Sequence, residues 1–128
     1  MQQHLSMWGL LALAGATGTL CRFGLSGLVL RLLGSAFPWG TLVVNALGCL
    51  LFGMLCPQLE SRLLLSPQTR LVALTGFLGA FTTFSTFAFE TTDQLRGSAW
   101  LLAAGNLVAQ NVLGICCVWI GMAIVRAF

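Results

Sequence analysis

The sequence predicts an all-α integral membrane protein: four transmembrane helices per protomer, with the third broken near mid-membrane. Three observations carry that prediction. Only 7% of the 128 residues are charged and 58% are hydrophobic, whereas soluble domains carry about 25% charged residues. Uncharged runs cover 1–21, 32–59, 71–89 and 97–125, and about 20 apolar residues suffice to cross a bilayer core. Inside the third of these runs, glycines and hydroxyl residues cluster where a continuous helix prefers neither. The chain length suits a single domain, covering 1–128.

The first helix is placed at about 5–31, because apolar sequence continues on both sides of Arg22. Ala12-Leu13-Ala14 has the form of a signal-cleavage site, but no basic segment precedes it, so the segment reads as a retained span. Gly34 to Pro38 is a turn, with Pro38 at the start of a second helix over 38–57. Pro57 to Gln68 holds Glu60, Arg62, Ser66 and Pro67 and reads as a solvated loop. The third helix is placed at 69–93 and the fourth at 98–125, joined by a tight turn in which Ser98 is the expected N-cap.

Orientation is weakly encoded. Arg62, Arg70 and Arg126 fall on one side, Arg31 and Arg96 on the other. So small a bias permits insertion either way up.

Polar residues inside spans are costly and point to function or to helix contacts. Thr41, Asn45, Gly48 and Phe52 share one face of the second helix. Asn45 beside small residues reads first as interhelical glue, with a pore-lining role as the alternative. The third span contains Gly76-Phe77-Leu78-Gly79-Ala80-Phe81-Thr82-Thr83-Phe84-Ser85-Thr86-Phe87. A break there would free backbone groups, which is tolerated only where protein or a polar cavity satisfies them. Broken helices recur at ion sites because their freed ends carry partial charge. Asn106 and Gln110 are one turn apart on the fourth helix. Arg22 and Glu90 are the charges within spans; they either snorkel, pair with each other, or place the arginine in an anion vestibule.

This inventory excludes several classes. Six arginines with no lysine are too sparse for a nucleic-acid face. Five cysteines without C-x-x-C spacing argue against a disulfide framework and against a membrane redox enzyme. Glu90 is the only acid within a span short of Asp93 at the very end of the third, which disfavours a proton relay. A neutral track of hydroxyls and amides suits a small ion, and phenylalanine edges offer an anion weak positive potential. The competing reading, a small dual-topology proton-coupled exporter of toxic cations, wants a carboxylate in its first helix, where this chain has Arg22.

Two motifs carry a resemblance. Pro38-Trp39-Gly40-Thr41-Leu42-Val43-Val44-Asn45-Ala46-Leu47-Gly48 and the run from Gly76 to Glu90 resemble the Fluc/CrcB family of fluoride channels, and the similarity spans essentially the whole chain. The resemblance implies an antiparallel, dual-topology homodimer in the bacterial inner or plasma membrane, with passive fluoride efflux that protects against toxicity. It implies a structural Na⁺ at the dimer centre, held by backbone carbonyls of Gly79 and Thr82. It implies a fluoride pathway of Phe84, Phe87 and Asn45, with Thr41, Ser85, Thr86, Asn106 and Gln110 alongside, and Arg22 and Glu90 as vestibule or structural charges. It implies a channel and not an enzyme, with fluoride, the second protomer and lipid as its partners.

Overall fold

The computed structural model describes residues 2–60 and 66–127, all helices and connections. Helix α1 covers Gln2–Leu33 and α2 covers Trp39–Glu60. The third span is composite: α3 (Pro67–Leu71), a π-helical stretch (Val72–Leu78), α4 (Gly79–Phe81) and α5 (Phe84–Arg96). Helix α6 covers Trp100–Ala127. Four segments are long and apolar enough to cross a membrane: Ser6–Leu33, Trp39–Cys56, Pro67–Arg96 and Trp100–Ala127.

The ends differ from the sequence expectation for identifiable reasons. Helix α2 runs on past Pro57 to Glu60, so the expected loop is shorter at its start; proline removes one turn-closing N–H but leaves the last turn helical. Residues 61–65, which include Arg62, lie outside the described residues. The third span starts earlier than expected because Ser66 Oγ accepts from the Thr69 amide and Pro67 occupies the first turn. Ser98 is not an N-cap. It has φ 59° and sits in the C-terminal cap of α5, where its amide bonds to Leu95 O at 3.0 Å and the Ala99 amide bonds to Gln94 O at 2.9 Å. That pair of bonds is a Schellman closure.

Packing relies on close backbone approach. A Cβ on Gly121 would strike Leu50 O and one on Gly53 would strike Val118 O, so α2 and α6 cross with backbones in contact. A Cβ on Gly18 would strike Phe77 O, which presses α1 onto the π-helical stretch. The core lies between these elements: Val44, Leu78 and Phe81 are buried, with Leu25, Leu51, Leu74 and Phe77 packed around them. Phe77 and Phe81 stack at 5.8 Å.

Candidate functional site

Thr82 and Thr83 interrupt the third span. Both are extended, at φ −83°, ψ 159° and φ −150°, ψ 107°. Gly79, three residues earlier, is ordinary right-handed helix at φ −62°, ψ −32°. The turn therefore does not depend on glycine. It depends on side chains that capture backbone amides. In a continuous helix the Thr83 N–H would bond Gly79 O; here it donates to Asn45 Oδ1 at 2.8 Å. The Thr86 N–H would bond Thr82 O; here it donates to Thr83 Oγ1 at 3.3 Å, making Thr83 the N-cap of α5. The carbonyls of Gly79 and Thr82 are thus both relieved of their intrahelical partners.

Asn45 holds the interruption from α2. While its Oδ1 accepts from Thr83, its Nδ2 donates to Thr83 O at 3.1 Å and to Gln110 Oε1 at 3.2 Å. These bonds fix each amide orientation in turn. The Thr83 N–H requires the oxygen of Asn45; the nitrogen of Asn45 then requires the oxygen of Gln110. Gln110 Nε2 is left over, buried and without a partner among the described residues.

A cavity of about 460 Å³ lies at this place. Asn45, Gly79, Thr82, Phe84, Phe87 and Gln110 all line it. The structure thus gathers half of the candidate site residues expected from sequence, from α2, the third span and α6. Phe84 and Phe87 meet edge to face at 5.4 Å and 69°. Phe87 is 7% exposed and Phe84 is 77% exposed, so the cavity wall at Phe84 is bare within one protomer.

Other expected residues fall elsewhere. Thr41 is buried and donates to Glu90 Oε1 at 2.7 Å. Among the described residues Thr41, not Arg22, therefore holds Glu90, and Glu90 Oε2 is left without a partner. Thr41 and Glu90 line a second cavity, of about 350 Å³, with Asp93 and Gln94. Arg22 lines a third, of about 370 Å³, with Thr19, Ser26, Thr41 and Thr86. Ser85 is exposed and lies 3.4 Å from Thr83 Oγ1. Asn106 does not share the Gln110 environment despite the one-turn spacing: it is fully buried and donates to Thr91 Oγ1 at 2.9 Å.

Sequence reasoning passed over Thr83 and Thr91 as individual residues. Thr83 carried a usable signal, a hydroxyl residue directly before the apolar start of a helix. Thr91 carried none, since its partner lies across a helix interface.

A protein-family model described as CrcB-like protein, Camphor Resistance (CrcB), matches residues 9–122. The chain is similar to the fluoride-specific ion channel FluC of Nitrosococcus oceani, at 60% identity over 114 residues, 89% of this chain and 91% of that one. It is 52% identical over 118 residues to the protein of the same name from Solidesulfovibrio magneticus, covering 92% and 94% of the two chains. The corresponding protein of Maridesulfovibrio salexigens is 46% identical over 116 residues. With its four spans and a family match running from the first helix to the last, this chain belongs to the CrcB family.

Proposed function

We propose that this chain forms a fluoride-selective channel through which cytoplasmic fluoride leaves by passive electrodiffusion across the bacterial inner membrane. Relatives named fluoride-specific ion channels support this reading. The observation that carries it is the single cavity on which Asn45, Gln110, Phe84 and Phe87 converge beside the extended Thr82-Thr83 backbone. Fluoride must exchange tightly held water for fixed dipoles. Asn45 has both amide hydrogens engaged, so the donor we assign to the ion is Gln110 Nε2, oriented by Asn45. The ring edges of Phe84 and Phe87 add weak positive potential in a site of low dielectric. Arg22 and Thr86 form an approach from one cleft, and Thr41, which donates to Glu90, stands at the junction of that cleft with a second. An inside-negative potential drives an anion outward by about 2.3 kcal/mol per 100 mV, so no pump is needed.

The working unit is an antiparallel, dual-topology homodimer, and the interruption of the third span lies near mid-membrane. The bare wall at Phe84 supports the dimer, because the opening there would otherwise set the extended Thr82-Thr83 backbone and the Asn45 and Gln110 amides against lipid, which is costly. The near-even arginine distribution supports dual topology. Gly79 and Thr82 fit a structural Na⁺: their carbonyls are relieved of helix bonds, and a hard cation prefers such oxygens. When bound, the ion supplies a fixed positive charge at the dimer centre.

Fluoride efflux from proteoliposomes, followed with a fluoride electrode and a potassium ionophore to balance charge, tests the reading. Wild-type protein should release fluoride. Phe84→Ile and Phe87→Ile should lose most of that flux while remaining dimeric by size exclusion, and Leu13→Val should not. Absence of flux from well-folded wild-type protein would sink the channel assignment.

A further inference from the structure

We propose that Thr91 is a positioning residue for the Phe87 ring, clamped in place by Asn106 from the neighbouring helix. The proposal rests on the reading of Phe87 as a pathway residue. Thr91 lies one turn beyond Phe87 on α5. Its Oγ1 donates to the Phe87 carbonyl at 2.8 Å and accepts from Asn106 Nδ2 at 2.9 Å. Asn106 is 0% exposed, Thr91 6% and Phe87 7%, so the relay is sealed from end to end.

Each part of this relay restricts the next. A helical threonine divides between two rotamers, one of which returns its hydroxyl to the preceding turn. Asn106 selects that rotamer, because its N–H needs the Thr91 oxygen as acceptor and leaves the hydroxyl hydrogen to the Phe87 carbonyl. A hydroxyl bonded to the carbonyl four residues back bends a helix locally. The carbonyl that Thr91 engages belongs to the residue whose ring lines the 460 Å³ cavity. Phe87 meets Phe84 edge to face at 5.4 Å, so a displaced Phe87 ring displaces both.

Asn106 also lacks another explanation. One turn later Gln110 lines the 460 Å³ cavity, whereas Asn106 lines none of the three cavities described. Thr91 is the partner that the Nδ2 of this fully buried amide finds, while its Oδ1 has none among the described residues. This reassigns Asn106 from the pathway wall to its support.

The test combines flux with a probe of the ring. Thr91→Val, Thr91→Ser, Asn106→Leu and the double variant Thr91→Val/Asn106→Leu are reconstituted beside Phe87→Ile. In parallel, 4-fluorophenylalanine is incorporated at position 87 and its fluorine resonance is recorded in the intact assembly. Thr91→Val and Asn106→Leu should each slow fluoride efflux at least about fivefold, since small misplacements of a positioned group cost large factors. The double variant should be no slower than the slower single one, because both break the same relay. Thr91→Ser should restore the flux and the wild-type resonance, which Thr91→Val shifts. Asn106→Leu carries the same test from α6 if Thr91→Val fails to assemble. Wild-type flux and an unmoved resonance in Thr91→Val, or losses that multiply in the double variant, overturn this proposal alone. Wild-type flux in Phe87→Ile overturns the pathway reading, and this proposal with it.

Discussion

Asn45 shows how one side chain decides the course of a backbone. Its amide pairs with both the N–H and the C=O of Thr83, two groups that a continuous helix would have satisfied itself. Leaving a buried backbone group unpaired costs about 1–3 kcal/mol. Asn45→Leu leaves both unpaired and should destabilise the assembly by several times the effect of a surface change. Asn45→Asp keeps an acceptor for the Thr83 amide but sets oxygen against Thr83 O and Gln110 Oε1. We expect it to lose flux and to shift thermal inactivation downward in detergent; a thermally unchanged Asn45→Asp with wild-type flux would contradict this role. The open choice between glue and pore lining at Asn45 was not resolvable from spacing, because both roles need a polar group on the same face. Two glycines separate by the same logic. A Cβ on Gly48 would strike the Thr82 methyl, whereas one on Gly79 would approach only Leu74 O, at 3.6 Å. Gly48→Ala should therefore disturb the interruption, at about 1–3 kcal/mol for overpacking. Gly79→Ala should leave the protomer folded, so any loss of flux it causes reports on the cation or the second copy. Size-exclusion profiles recorded with flux distinguish the two.

At the level of elements, helix ends were legible where a residue type has one purpose and obscure where caps compete. Gly34 takes φ 77° at the end of α1, as a glycine following an apolar helix suggests. At the end of α5 the left-handed residue is Ser98 and not the adjacent Gly97, so the obvious sequence signal is displaced by one position. That displacement makes a prediction. Ser98→Gly removes the cost of a left-handed side-chain residue, about 1 kcal/mol, and should raise the thermal midpoint without changing flux. Thr83→Val should act in the opposite direction. It removes the N-cap of α5, worth about 1 kcal/mol, and frees the Thr86 amide. The π-helical stretch was invisible in sequence because no composition marks it. It packs with Phe77 O against Gly18, a contact between residues far apart in the chain.

For the whole molecule, hydropathy alone gave the four spans, since charge placement directly reports where lipid can lie. The site was legible as a list of residues but not as a geometry: Gln110 and Asn106 look equivalent by spacing and are not. The assembly makes its own prediction. Cysteines introduced at each terminus should be labelled from both sides of intact cells, and labelling from one side only would rule out dual topology. The way α5 is attached has a mechanical consequence. Helices α2 and α6 meet backbone to backbone, as do α1 and the π-helical stretch, so each pair is stiff. Helix α5 is fastened by side-chain hydrogen bonds near Thr83, Glu90 and Thr91. Such bonds within a membrane are worth about 0.6 kcal/mol each, and those at Thr83 and Glu90, which border cavities, are open to competition from water. The phenylalanine-bearing helix is therefore the compliant member of an otherwise rigid frame, and its slackness rises with the wetness of the cavity it borders.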